Sequence, residues 1–76
     1  MTNKLKSSTL DTKNFGLNLY RIRTEKRLTR QWLADRLGYE SQRIIYDYES
    51  GVKLPKLENA IKIAIILEVD LNSMFL

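Results

Sequence analysis

Residues 28–51, LTRQWLADRLGYESQRIIYDYESG, constrain the fold more than any other part of the chain. Gly38 divides the stretch. Before it, Leu33, Ala34 and Leu37 recur at helical spacing behind Thr29, a residue type that caps helices well. After it, Ile45 and Tyr48 recur at i, i+3, and Gly51 closes the segment. The pattern predicts one short helix over about 30–37 and a second that begins at Ser41 as cap. Gly38 between them turns the chain most simply in the left-handed conformation. Ser41, Gln42 and Arg43 give the second helix a polar, cationic leading edge, with Tyr46 one turn further on. Small proteins reach base edges in duplex DNA with two helices so arranged. The stretch points to a DNA reader rather than an enzyme.

The flanking sequence fills out an all-α domain over 14–76. Residues 1–13 are rich in Ser, Thr, Lys and Asn and show no period, which reads as a flexible tail. Its Lys4, Lys6 and Lys13 are candidates to lie along phosphates. A first helix is expected over about 14–26, capped by Asn14, with Phe15, Leu19 and Ile22 on its inner face. Gly16 inside it costs ~1 kcal/mol in helix propensity. After a loop around Pro55, a fourth helix is expected over about 57–67, with Leu57, Ile61, Ala64 and Leu67 in register on one face. A short fifth helix over about 71–75 follows Asp70 as cap. The Ile-rich run from 61 to 69 has strand propensity, but its apolar residues fit the helical period.

Composition narrows the chemistry. The 76 residues make one small domain, which buries only ~60% of its unfolded surface and needs efficient packing. There is no cysteine and no histidine, so disulfides, thiolate metal sites and the commonest general base are all excluded. No metal, cofactor or catalytic residue is expected. Asp47 and Glu49 are two apart on a helix, face different directions, and make no acid/base pair. Trp32 reads as a half-buried packing residue rather than a stacking platform. A net charge of +4 and an isoelectric point near 9.6 suit a polyanionic partner. No apolar run approaches the ~20 residues of a membrane span, so a cytoplasmic protein is expected.

A longer series of elements then falls in order: Leu19 with Arg23, Leu28-Thr29, Leu33-Ala34, Leu37-Gly38, Ile45, Tyr48-Glu49-x-Gly51, Pro55, Ala64 with Leu67, and residues 69–74. In these the chain resembles the Cro/repressor-type helix-turn-helix family, often called XRE-like, over nearly all of 14–76. The resemblance implies a five-helix, lambda-repressor-like domain with its helix-turn-helix at helices 2 and 3. It also implies a sequence-specific regulator of transcription, of phage or mobile-element type and bacterial or phage-encoded. Such a protein binds a double-stranded operator as a homodimer on two half-sites ~34 Å apart. The other role open to the same fold is an antitoxin-like module whose main task is to hold a partner protein.

Site residues follow from the resemblance. Arg23 and Glu49 resemble the family's interior ion pair between the first helix and the end of the third. Ala34 is small where helix 3 crosses helix 2. Gln42, Arg43 and Tyr46 are the candidate base readers, with Asp47 at the margin. Gln pairs bidentately with adenine, Arg with guanine, and Asp accepts from cytosine N4. Arg30 stands where the family commonly has glutamine, and either contacts a phosphate at the helix N-terminus or reaches a base edge beside Gln42. Gln31 is the alternative for that polar role. Thr29, Ser41, Lys53 and Lys56 are expected at the DNA backbone, which positions without specifying. Dimer contacts are expected from Ile65 or Ile66, Leu71, Phe75 and Leu76. One departure stands out: the turn Gly38-Tyr39-Glu40 holds one residue more than the commonest family pattern. Ser41 as cap preserves the spacing of Ile45, Tyr48 and Glu49; Glu40 as cap would shift the readers by one.

Overall fold

The computed structural model describes residues 3–76, and of residues 3–11 the helical backbone alone. Among the described residues the order is α1 (Asn3–Glu25), α2 (Arg30–Leu37), α3 (Arg43–Glu49), α4 (Leu57–Leu67) and a 3-10 turn (Leu71–Met74), with no strand. The all-α expectation holds, but the fifth helix is a single tight turn that ends one residue before Phe75.

The helix α1 starts well before Asn14. No glycine or proline precedes Gly16, so nothing in the chain stops the helix from running back through the stretch expected as a tail. The side chains of Lys4 and Lys6 lie outside the described residues; that of Lys13 is exposed. On its inner face α1 buries Phe15, Leu19 and Ile22 as expected. Gly16 has a structural reason. A Cβ there would meet the Tyr48 carbonyl oxygen and come 2.7 Å from that of Glu49. Helix α1 therefore lies directly on the C-terminal backbone of α3, and any side chain at 16 would push the two apart.

Thr29 caps α2 by accepting a hydrogen bond from the Trp32 N–H at 3.0 Å. Gly38 ends α2 at φ 81°, a region costly for a residue with a Cβ. Leu33 and Ala34 are fully buried and Leu37 packs at the core's edge with Trp32. Arg36 lies over the Trp32 ring, 4.5 Å from its centroid.

The start of α3 corrects the expected cap. Helical geometry begins at Gln42, one residue later than Ser41, and Gln42 makes no side-chain cap bond. Ser41 Oγ instead accepts from the Arg43 N–H at 3.0 Å, satisfying one of the donors that a helix start leaves open. Helix α3 then buries Ile45 and Tyr48 between α1 and α2.

Helix α4 has the expected bounds but a rotated inner face. Ala60, Ile63, Ala64 and Leu67 are buried, whereas Leu57 and Ile61, expected inside, are 65% and 41% exposed. The helix carries apolar residues most of the way round, so the period alone admitted two faces. The core chose the one bearing small Ala60 and Ala64, which lets α2 approach α4. The 3-10 turn folds back on α1: Asn18 donates to the Met74 carbonyl at 3.0 Å, Met74 is fully buried, and Phe75 packs on Phe15 at 5.3 Å between ring centroids.

Candidate nucleic-acid interface

Because Ile45 and Tyr48 lock one side of α3 into the core, Gln42, Arg43 and Tyr46 are forced to the other. All three are exposed. With Arg30 and Ser41 they line a shallow open cleft between the start of α2 and the outer face of α3. A second open cleft runs along the opposite flank of α3 and is lined by Ser41, Arg43, Asp47, Lys53, Lys56 and Glu58, among others. Arg43 and Ser41 border both. The candidate readers thus form a ridge, with Arg30 on one side and the loop lysines on the other.

Lys53 is held close to that ridge by its backbone: the Asp47 carbonyl accepts from the N–H groups of Val52 and Lys53 at 3.0 and 3.3 Å. Pro55 is buried in the same loop, and the side chains of Lys53 and Lys56 are exposed. Asp47, expected at the margin, accepts from Arg43 Nε at 3.1 Å. This i, i+4 pair steers the long Arg43 side chain along the helix. Gln31 turns to its own helix and donates to Asp35 at 2.7 Å, so it stands outside the cluster, and the Thr29 hydroxyl is occupied as a cap.

Beneath the ridge is an ionic hub that the sequence showed only in part. Arg23 and Glu49 pair as expected, with side chains 8% and 4% exposed. Arg23 donates to both carboxylate oxygens, through Nε to Oε2 and through Nη2 to Oε1 at 3.1 Å, and through Nη1 to the Leu28 carbonyl at 2.6 Å. A second guanidinium joins: Arg30 Nε donates to Glu49 Oε1 at 2.9 Å. Arg30, expected at DNA alone, is therefore anchored to the interior. It also lies over Tyr46, its guanidinium carbon 5.4 Å from the ring centroid, and Arg43 approaches the same ring at 5.6 Å. No spacing rule signals a pair 19 residues apart; the unusual arginine at the helix 2 start was the only hint.

The additional turn residue is also accounted for in space. Tyr39 packs against the core, and its hydroxyl lies 2.9 Å from that of Tyr48. The turn is thereby rooted in the same aromatic side chain that fixes α3. Burial, then the hydrogen bond with Tyr39, pushes the Tyr48 phenol well above its ordinary value. Among the described residues no group of three or more His, Cys, Asp or Glu side chains gathers to hold a metal, and no helix is long and apolar enough to cross a membrane.

The family model described as "Helix-turn-helix" matches residues 19–73. The chain belongs to the helix-turn-helix family. The match spans α2, α3 and α4, the elements that build the ridge and its support, and makes the chain a DNA-binding regulator of transcription rather than an enzyme. A comparison with curated proteins gives no match. Among solved structures the chain is similar to the restriction-modification controller protein C.AhdI from Aeromonas hydrophila, at 29% sequence identity and a TM-score of 0.77, over 86% of this chain and 97% of that one.

Proposed function

We propose that this helix-turn-helix protein is a sequence-specific operator-binding regulator that lays α3 in the major groove and binds as a homodimer. The observation that carries the reading is the ridge. Gln42, Arg43 and Tyr46 stand exposed on α3 while Ile45 and Tyr48 hold its other side rigid. Gln42 and Arg43 match the bidentate edges of adenine and guanine, Asp47 orients Arg43, and Lys53 and Lys56 sit where phosphates flank a helix in the groove. Likeness to a restriction-modification controller protein favours a controller-type regulator over a phage repressor.

The dimer reading draws on α4. Leu57, Ile61 and Ile65 repeat at i, i+4, i+8 on its outer face, and Ile65 is 68% exposed. Of the contacts expected from the sequence, Ile65 and Leu76 lie outside, while Ile66, Leu71 and Phe75 pack against the core. The α4 stripe is therefore the better candidate for the two-fold contact.

Selection of bound duplexes from a random pool tests the whole reading through half-site sequence and spacing. On the selected duplex, Arg43→Ala is expected to relax preference at one base position. Lys53→Ala is expected to weaken all duplexes alike and to reduce the salt slope by about one unit. A parent protein that enriches no sequence overturns the proposal.

A further inference from the structure

The position of Arg30 suits a task other than touching DNA. Its Nε is committed to Glu49, which Arg23 holds from the other side. The carbon of the same guanidinium lies 5.4 Å from the ring centroid of Tyr46, a residue 48% exposed. A half-exposed tyrosine on a helix surface ordinarily samples several rotamers, and ordering it on binding costs free energy. Here Arg30 and Arg43 both bear on its ring, and cations near an aromatic face are attracted by its quadrupole. Arg43 is in turn set by Asp47. A continuous path of contacts thus leads from the buried carboxylate to the reading ridge: Arg23, Glu49, Arg30, Tyr46, Arg43, Asp47.

We propose that Arg30 is a positioning residue that determines specificity: pinned by Glu49, it fixes the Tyr46 ring, and through it Arg43, at the reading edge of α3. The inference rests on the proposed reading of DNA by α3 and names what keeps that face in register. It also explains why an arginine suits this position. A guanidinium donates through Nε in a fixed direction while the rest of its delocalised charge stays near the ring, whereas an ammonium is a compact point charge on a flexible stem.

The test compares the parent with Arg30→Lys, Arg30→Gln, Tyr46→Leu and the Arg30→Lys/Tyr46→Leu double variant. Each is titrated over a range of salt with the duplex selected by the parent and with a scrambled duplex. Arg30→Lys keeps the charge, and whatever it loses on the scrambled duplex sets the baseline against which its binding to the selected duplex is read. Its ratio of selected to scrambled binding is expected to fall about two- to fivefold, the size of a solvent-exposed cation–ring contact. Tyr46→Leu is expected to lower the ratio similarly, and the double variant to lower it no further.

A parental ratio in Arg30→Lys overturns the inference, because any cation then suffices. So does an Arg30→Gln protein whose ratio is unchanged while its salt slope drops by about 0.9, the mark of one lost phosphate contact. Losses that multiply in the double variant also overturn it. Thermal melts, followed through Trp32, establish that each variant folds. Were the Arg30 variants unfolded, the side-chain couplings of Tyr46 in the free parent, measured by NMR, would decide: a single χ1 rotamer supports the inference and averaging over rotamers overturns it. A parent without sequence preference instead refutes the proposed function itself, so the two failures are distinct.

Discussion

Glu49 is the residue on which the interior and the ridge both depend. Its carboxylate is shared by two guanidiniums, and one of them, on Arg23, has almost no access to water. Glu49→Gln preserves the shape but leaves Arg23 buried without a counter-charge. It is expected to destabilise the domain by ~3–5 kcal/mol, read as a shift in the urea midpoint. Arg30→Gln should cost far less, since that side chain is 32% exposed and solvent screens its charge. Tyr48 supplies a prediction in pH. Its phenol is raised in the folded chain above the ordinary value of 10.0, so the unfolded chain releases this proton first. The associated stability is complete below about pH 10 and is lost as pH rises towards the folded value. Denaturation curves at pH 9 to 11 should show a steeper decline for the parent than for Tyr48→Phe.

At the level of elements, the contact between α1 and α3 sets the angle at which the ridge is presented. Gly16→Ala would gain ~1 kcal/mol of helix propensity, yet the new methyl group would meet the backbone oxygens of Tyr48 and Glu49. Overpacking of this kind costs ~1–3 kcal/mol, and against backbone the cost should win. The expected result is a lower melting temperature and weaker operator binding, checked by calorimetry and titration. Local signals made most elements legible. Thr29 and Gly38 bounded α2, and Ile45 with Tyr48 placed the inner face of α3. The face of α4 was not legible, because Leu57, Ile61, Ala60 and Ile63 are all apolar and only the fit against α2 chooses among them. The early start of α1 was equally hidden: the Ser- and Thr-rich stretch is a poor helix former but contains no breaker. The pair Arg23–Glu49 came from a family pattern, whereas Arg30's place beside Glu49 depends on the packing of α2 on α3 and leaves no mark in spacing.

For the whole molecule, the question is how two copies meet. If the outer stripe of α4 is the two-fold contact, Ile61→Glu places a charge in it without touching the buried face. Sedimentation should then show a monomer. Binding to a duplex with both half-sites should lose its cooperativity while a single half-site is still recognised. An Ile61→Glu protein that remains dimeric would move the contact elsewhere. The return of the 3-10 turn to α1 has a consequence in time. Asn18 reaches the Met74 carbonyl across 56 residues, and Phe15 is covered by Phe75. A nascent chain emerges N-terminus first, so the side of Phe15 that Phe75 covers stays open until the 3-10 turn has been made. Translation must therefore pass nearly all of the described residues before the last wall of the core closes over α1.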